Sequence, residues 1–274
     1  MDLKLKDTTV VVTGASRGLG RDLALAFAAE GANLMICARD GAKLEATAAE
    51  IRQAGVRCVA VVADLKTGDG CRAVIEGAAR EFGRIDVLVN NATANVDSTP
   101  KKVEDATDEQ VLARIHGKTM PAIRCSRLVL PHMRKAGGGR IVLIGGTAAR
   151  TVQRGDEIMN PGSTLPQGLG NAALSVFARQ LSEESAAYGI TVNVVHPHSV
   201  DTGRFKDHVA ARAKQLGETP DQVEARFNSF VPTGRVLYGA DIAPLVLLLA
   251  SPLSGQITAQ AIAVDGGALR AINY

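Results

Sequence analysis

The feature that most constrains this chain is a glycine-rich loop directly after its first apolar run. Val10-Val11-Val12 leads into Thr13–Gly20, which reads TGASRGLG, and an alanine-rich segment with helical spacing follows. Glycine lets the backbone turn tightly and approach a pyrophosphate closely. The N-terminus of the following helix adds unpaired N–H groups and the positive end of its dipole. A glycine triplet in this strand–turn–helix context predicts a dinucleotide-binding site.

The rest of the 274 residues alternates short β-branched runs with longer segments of helical periodicity. This alternation is typical of a parallel sheet with helices on both faces, and no linker rich in Pro, Gly or Ser divides the chain. We therefore expect one doubly wound, Rossmann-type α/β domain. The predicted strands are Thr8–Thr13, Asn33–Ala38, Cys58–Ala63, Val87–Asn90, Arg140–Ile144, Thr191–Val195 and Ala261–Val264. The predicted helices include Gly20–Glu30, Lys43–Ala54, Gly70–Glu81, Glu109–Lys135 and Asn171–Ala187.

Composition excludes several classes of function. The net charge is +3, and basic residues are interspersed with acidic ones along the chain. The sequence therefore lacks the concentrated basic stripe that is typical of nucleic-acid binding, and no nucleic-acid partner is expected. The four cysteines lack metal-ligand spacing with histidine, which favours buried thiols and predicts no metal site. The sequence contains no run of about 18 apolar residues, so no membrane span is predicted. We expect a soluble, cytoplasmic protein with no membrane partner.

The end of the second predicted strand bears on the choice of cofactor. NAD sites place a carboxylate there for the ribose 2′-hydroxyl, whereas an arginine accommodates the 2′-phosphate of NADP. Ala38 occupies that position with Arg39 beside it, and Arg17 lies inside the glycine loop, while Asp40 comes one or two positions too late. These residues favour NADP(H) over NAD(H). Asp64, after the third strand, is suited to bind the adenine amino group, with a helix cap as its alternative role.

Several motifs together resemble the short-chain dehydrogenase/reductase family over nearly the whole chain. They are Thr13–Gly20, Asp64, Asn90-Asn91-Ala92, Ile190–Asn193 with His196-Pro197, and Ala263–Gly267. The resemblance implies a seven-stranded parallel sheet, a small-molecule substrate and a homodimer or homotetramer. The residues expected to bind the cofactor are Gly14, Ser16, Arg17, Gly18, Leu19, Gly20, Arg39, Asp64, Leu65, Asn90, Asn91 and Val200.

The same resemblance exposes a departure at the catalytic positions. The family normally uses an Asn, a Ser, a Tyr and a Lys, and the matching positions here hold Lys118, Gly145-Gly146, Gln167 and Asn171. Glutamine cannot titrate, and neutral asparagine cannot supply the cation that lowers a phenol pKa. Carbonyl reduction through a tyrosine proton is therefore not expected.

Four residues are candidates to replace the missing groups. The first is Lys118, which could hold the nicotinamide ribose or polarise a carbonyl, unless it is a solvated or ion-paired lysine. The second is His198, a general acid on the loop after strand six or a partly exposed loop histidine. Gln167 can only orient a substrate by hydrogen bonding. Thr147 could bring a hydroxyl near the position of the missing serine.

Three functions remain open from the sequence. The first is an NADPH-dependent reductase with a non-standard proton donor, acting on an activated double bond or a carbonyl. The second is a catalytically silent NADP(H)-binding regulatory or structural subunit. The third is redox-neutral chemistry, such as dehydration. Residues 203–232 are expected to form a substrate lid, and the turn-rich segment 147–166 is expected to cover the site.

Overall fold

Seven parallel strands form one sheet in the computed structural model, which describes residues 1–94, 100, 102–151 and 165–269. The strands are Thr9–Thr13 (β1), Asn33–Ala38 (β2), Cys58–Val62 (β3), Val87–Asn90 (β4), Gly139–Ile144 (β5), Ile190–Pro197 (β6) and Ala261–Val264 (β7). Their spatial order is β3-β2-β1-β4-β5-β6-β7. The predicted fold class is confirmed, and the predicted strand bounds differ by at most two residues at either end.

Helices connect the strands and begin at the polar residues that the sequence offers. Asp40 caps one helix by accepting from Lys43 N at 3.1 Å, and Thr67 caps the next by accepting from Gly70 N at 3.0 Å. Such caps satisfy backbone donors that a helix leaves unpaired. The described helices are Gly18–Ala29 (α1), Gly41–Gln53 (α2), Gly68–Phe82 (α3), Asp108–Arg114 (α4), Met120–Lys135 (α5), Leu165–Ser185 (α6), Arg204–Leu216 (α7), Pro220–Ser229 (α8) and Gly239–Ala250 (α9).

The core consists of two apolar layers, one on each face of the sheet. Alternation along β1 divides its side chains between them: Val10 and Val12 face one layer and Val11 faces the other. Side chains from α1 and α9 complete the first layer, and side chains from α3, α5 and α6 complete the second. All four cysteines are buried and unpaired, as predicted. The sheet is therefore covered on both faces, which leaves its carboxyl edge as the place for a site.

The predicted helical stretch Glu109–Lys135 is present but is not a regular α-helix throughout. A π-helical turn over Ile115–Thr119 lies between α4 and α5. At this turn Gly117 approaches the segment after β4 so closely that its carbonyl accepts from Ala94 N at 2.8 Å. A Cβ at position 117 would lie 2.7 Å from Ala94 Cβ. The next residue, Lys118, lies in the same π-helical turn. Turns of this kind are often found at functional sites.

Two irregular segments were expected to cover the site. Residues 203–232 form α7 and α8, which share a small apolar cluster of Phe205, Val209, Ala213, Val223 and Phe227 with Val236. The expected covering segment 147–166 begins with a short 3-10 turn over Thr147–Ala149, and most of the remainder lies outside the described residues. Within the described part of the chain, no helix combines the length and the apolar character needed to cross a bilayer.

Candidate active site

A cavity of about 700 Å³ lies at the carboxyl ends of the strands, beside the glycine loop. The strand order reverses between β1 and β4, and ligands of open α/β sheets bind at this point. The volume falls within the range of small-molecule sites. The expected residues that line the cavity are Gly14, Ser16, Arg17, Gly18, Leu19, Gly20, Arg39, Asp64, Leu65, Asn91, Lys118, His198 and Val200.

The glycine loop has the conformation that its sequence requires. Gly14 and Gly18 have φ angles of +70° and +57°, which side chains rarely adopt. The amides of Gly14 and Ala15 both donate to Cys37 O, at 2.9 and 3.1 Å, and this ties the loop to the end of β2. A Cβ on Gly20 would overlap the carbonyl oxygen of Gly14. The loop can therefore close onto α1 only with glycine at position 20.

Asn91 supports the loop from the neighbouring strand. Its side-chain amide donates to the carbonyl oxygens of Thr13 and Gly14, at 3.0 and 3.2 Å. The Thr13 hydroxyl in turn accepts from the backbone N–H groups of Asn91 and Ala92, both at 3.0 Å. Asn90 lies differently, because its buried amide donates to Ser126 Oγ at 3.1 Å and it does not line the cavity described here.

Three cations line the end of the cavity beside β2. Arg17 and Arg39 were expected there, and Lys43, from the first turn of α2, joins them. Asp40 also lines this end, but its carboxylate accepts from Lys43 N and lies 3.1 Å from Lys43 Nζ. These hydrogen bonds lower the pKa of Asp40. The Asp40 carboxylate is therefore engaged by the first turn of α2. Ala38, at the end of β2, lines the cavity together with the three cations.

Lys43 was not among the cofactor-binding residues expected from the sequence. The signal was available, because an aspartate three residues earlier predicts a helix N-cap and places Lys43 in the first turn, beside the strand end. Asp64 was among the expected residues, and it lines the cavity. The N-cap of α3, which was the alternative role for Asp64, is Thr67.

Lys118 lies on the wall at the other end of the cavity. Its Nζ donates to Gly145 O at 2.8 Å. Burial and, to a smaller degree, the charge of Arg114 lower the pKa of Lys118 to about 8. Lys118 is partly buried, and no described carboxylate pairs with it. The site thus contains an ammonium group whose proton is held more weakly than in water.

His198 lies close to Thr147 on the same wall. The two side chains share a hydrogen bond of 3.0 Å between Thr147 Oγ1 and His198 Nδ1. Burial lowers the pKa of His198, and the nearby Asp265 opposes this only in part. The ring is therefore neutral at pH 7 and serves better as a hydrogen-bond partner than as an acid. Gln167 does not line the cavity, and its buried Oε1 has no hydrogen-bond partner among the described residues.

The sequence marked His196 only as part of a family motif and did not reveal its role at the site. His196 is fully buried in β6, and its Nδ1 accepts from Gly146 N at 3.0 Å. We assign the proton to Nε2, which lies 3.1 Å from Ser175 Oγ, because Nδ1 must accept. The Ser175 hydroxyl donates to Asn171 O at 3.4 Å. This chain of hydrogen bonds holds the Gly145-Gly146 turn, and a lone histidine in an apolar strand gave no signal of it.

The pKa of His196 predicts a pH dependence of stability. Burial, together with the charges of Arg150 and Lys118, lowers this pKa to about 4. The unfolded chain takes up a proton near pH 6.5, whereas the folded chain resists until about pH 4. The stabilisation is therefore full above pH 6.5 and is lost as the pH falls toward 4. Between pH 7 and 5 we expect urea denaturation to show about 1–2 kcal/mol of loss that His196→Gln does not show.

The matched control for this measurement is His116→Gln, since His116 is exposed on the π-helical turn. This variant should keep the full pH dependence of the wild type. If His196→Gln loses stability with pH as steeply as the wild type, the buried neutral histidine is not the cause.

The chain is similar to short-chain dehydrogenases and reductases in both sequence and structure. Residues 8–213 match the family described as short chain dehydrogenase. The short-chain reductase protein NovJ of Streptomyces niveus is 35% identical over 262 residues, which cover 96% of this chain and 94% of NovJ. The structure of L-sorbose reductase from Gluconobacter frateurii, complexed with NADPH and L-sorbose, superposes with a TM-score of 0.90 at 28% identity, covering 99% of this chain and 100% of that one. A variant actinorhodin polyketide ketoreductase with NADPH gives a TM-score of 0.87 at 27% identity, covering 97% and 98% of the two chains.

Proposed function

The chain belongs to the short chain dehydrogenase family, and from this membership we propose that it is an NADPH-dependent reductase in which Lys118 stands in for the usual proton donor. The relatives support an oxidoreductase that uses an NAD(P)-type cofactor, since two similar structures contain NADPH.

The residues at the β2 end of the cavity fit NADPH. The glycine loop and the N-terminus of α1 suit a pyrophosphate, and no Cβ narrows the loop at Gly14, Gly18 or Gly20. The three cations Arg17, Arg39 and Lys43 suit the 2′-phosphate, and the carboxylate of Asp40 is engaged by Lys43. When bound, NADPH supplies the hydride.

The observation that carries the proposed chemistry is the placement of Lys118. One N–H of its ammonium group donates to Gly145 O, and two remain for a substrate oxygen. A buried ammonium stabilises negative charge that develops on a carbonyl or enolate oxygen more strongly than the same group in water. With a pKa of about 8, the Lys118 ammonium can also pass a proton to that oxygen near neutral pH. The Thr147–His198 pair lies on the same side and can orient the substrate.

The α7–α8 hairpin is part of the same proposal, as a lid over the substrate. Thr202 lines the cavity, and α7 begins two residues later, after Gly203 with a φ angle of +77°. The separate apolar cluster of the hairpin supports its movement as a unit.

A binding assay followed by a substrate screen tests the proposal. NADPH binding is first measured from the fluorescence of the nicotinamide. Enones and ketones are then screened for loss of nicotinamide absorbance. Turnover of any of these compounds supports a reductase. Binding without turnover across a broad panel would overturn it in favour of a silent NADP(H)-binding subunit.

Arg39→Gln is expected to weaken NADPH binding about tenfold to a hundredfold. The change removes one charged hydrogen-bond donor for the 2′-phosphate, and such bonds contribute about 1.5–3 kcal/mol. NADH lacks that phosphate, so its dissociation constant should not change. Fluorescence titration with both nucleotides measures the two effects. Arg127→Gln, at an exposed position of α5 outside the cavity lining, should change neither constant. An equal loss for NADPH and NADH would contradict the assignment.

A further inference from the structure

One peptide group connects Lys118 to His196. The carbonyl oxygen of Gly145 accepts from Lys118 Nζ at 2.8 Å, and the amide of Gly146 donates to His196 Nδ1 at 3.0 Å. This carbonyl and this amide belong to the same peptide, because residues 145 and 146 are consecutive. The peptide is trans and planar, so its C=O and N–H point in opposite directions. Lys118 and His196 therefore bind the two ends of one rigid group.

Glycine on both sides gives this peptide more freedom to rotate than most. Gly145 and Gly146 lack the Cβ that restricts φ and ψ in other residues, and both line the cavity. The hydrogen bond from Gly145 N to Val195 O fixes the preceding peptide but not this one. Rotation would break the bonds to Lys118 and His196 together, because the two ends of a rigid group move as one. A partner outside the backbone must therefore keep the Gly145 oxygen directed at Lys118.

The His196 ring is itself held in place, which suits it for this task. It is fully buried in β6, and its Nε2 lies 3.1 Å from Ser175 Oγ on α6. The hydrogen bond at one ring nitrogen fixes the tautomer and orientation that the other presents. The ring also packs closely on Gly145, where an added Cβ would lie 2.6 Å from His196 Cε1. The ring therefore cannot turn away from the Gly146 amide without losing contacts on both sides.

We propose that His196 is a positioning residue for Lys118 and acts through the peptide between Gly145 and Gly146. This inference rests on the proposed reductase and adds a residue that is outside the described cavity lining. Because the Gly146 N–H donates to His196, the Gly145 oxygen is polarised and accepts more strongly from Lys118. The ammonium group is thereby held in one place, with two N–H groups left for a substrate oxygen. His196 itself transfers no proton.

Charged groups around the two residues do not account for this coupling. The charge of Arg114 lowers the pKa of Lys118, and the charges of Arg150 and Lys118 lower that of His196. His196 is neutral at pH 7, since its pKa is about 4. Replacing it with another neutral residue leaves all these charges in place. A change at Lys118 after such a replacement therefore reports the lost hydrogen bond.

His196→Leu and His196→Asn form a matched pair for the test. Their side chains have nearly the same size and shape, but only asparagine offers an acceptor near the position of Nδ1. Acetylation of Lys118 by trace acetic anhydride is followed against pH by mass spectrometry, because only the unprotonated amine reacts. In His196→Leu we expect the midpoint to fall by about one pH unit, since the ammonium loses its oriented acceptor. His196→Asn should match the wild type. Lys135, exposed at the end of α5, is the internal reference and should not change.

An unchanged midpoint for Lys118 in His196→Leu, or an equal fall in both variants, would overturn the proposal. If His196→Leu does not fold, the wild-type protein decides. Its Gly146 amide resonance should move as Lys118 titrates near pH 8, because a change at the Gly145 oxygen alters the same peptide. A Gly146 resonance that stays constant through this titration also refutes the coupling.

Turnover of any compound found in the substrate screen gives a further readout. His196→Leu should lower kcat about tenfold to a hundredfold, as a displaced catalytic group does, and His196→Asn should recover most of it. Asn193→Leu is the control for structural damage. Asn193 is fully buried in the same strand, and its side chain donates to Ile257 O at 2.7 Å and accepts from Gln260 N at 3.1 Å. This control should lose stability and keep kcat, and an equal loss of kcat would count against positioning.

The two proposals can fail separately. Acetylation and the Gly146 resonance need no turnover, so they test the positioning role even if no compound is reduced. Turnover with no effect of His196→Leu on Lys118 would remove the positioning role and leave the reductase.

Discussion

Replacing Gly20 with alanine is expected to abolish measurable NADPH binding and to lower the thermal stability of the protein. The added methyl group would overlap the carbonyl oxygen of Gly14 and the side-chain amide of Asn91. Neither group can move freely, because the Asn91 amide donates to both Thr13 O and Gly14 O. The loop must therefore open. Overpacking of this kind typically costs about 1–3 kcal/mol of stability, and the displaced amides no longer converge on a pyrophosphate. Fluorescence titration and thermal unfolding measure the two effects.

Gly68→Ala is the matched control for this substitution. Gly68 is also in the first turn of a helix, its added Cβ would meet no atom within 4 Å, and its backbone does not have a positive φ. This variant should bind NADPH as the wild type does and should be equally stable or slightly more stable. If Gly20→Ala retained NADPH affinity within a few-fold of the wild type, the loop could not be the pyrophosphate site.

Lys118→Met is expected to lower kcat by about a hundredfold or more and to leave NADPH affinity unchanged. Removing one preorganised donor to a developing oxyanion costs about 10²–10³ in kcat in other enzymes. The pH profile gives a second readout. The protonated amine is the active form and its pKa is about 8, so wild-type kcat should fall as the pH rises through 8. Any residual kcat of Lys118→Met should not fall as the pH rises through 8.

Protein stability separates this effect from misfolding. The pKa of Lys118 is lowered from 10.5 to about 8 in the folded protein, so the unfolded chain binds the proton more readily between these two values. The unfolding free energy therefore rises as the pH increases from about 8 to 10.5. At pH 7 the charged Lys118 side chain destabilises the folded protein. Lys118→Met should not lower the unfolding free energy at pH 7. Lys135→Met, at the exposed end of α5, should leave kcat and its pH profile unchanged. Wild-type kcat in Lys118→Met would refute its role.

The sequence predicted those features that depend on local pattern. The seven strands follow from β-branched runs, and the turn after β1 follows from glycine spacing, since residues with side chains rarely adopt the φ angles of Gly14 and Gly18. The single helical pattern assigned to Glu109–Lys135 did not reveal the π-helical turn over Ile115–Thr119. That turn depends on the close approach of Gly117 to Ala94, which are distant in sequence.

The substrate end of the site was less predictable for the same reason. Lys118 and His198 were found as candidates, yet their protonation depends on burial and on neighbours contributed by other elements. The role of His196 escaped notice because its two ring nitrogens are bound by Gly146, before α6, and by Ser175, within α6. Long-range packing, which a single sequence does not display, decides the protonation and the contacts of these residues.

The packing of His196 against the turn after β5 restricts how this protein could have evolved. A Cβ on Gly145 would lie 2.6 Å from His196 Cε1 and would overlap Nδ1, and a Cβ on Gly146 would lie 2.9 Å from Asn171 Nδ2. A serine at position 145 is therefore compatible only with a smaller residue at position 196. A serine at position 146 requires the side chain at position 171 to be displaced. The order of substitutions matters, because the same serine that is harmful in this background becomes acceptable in another. A laboratory attempt to restore the usual family residues must therefore change positions 196 and 171 before it adds the hydroxyl.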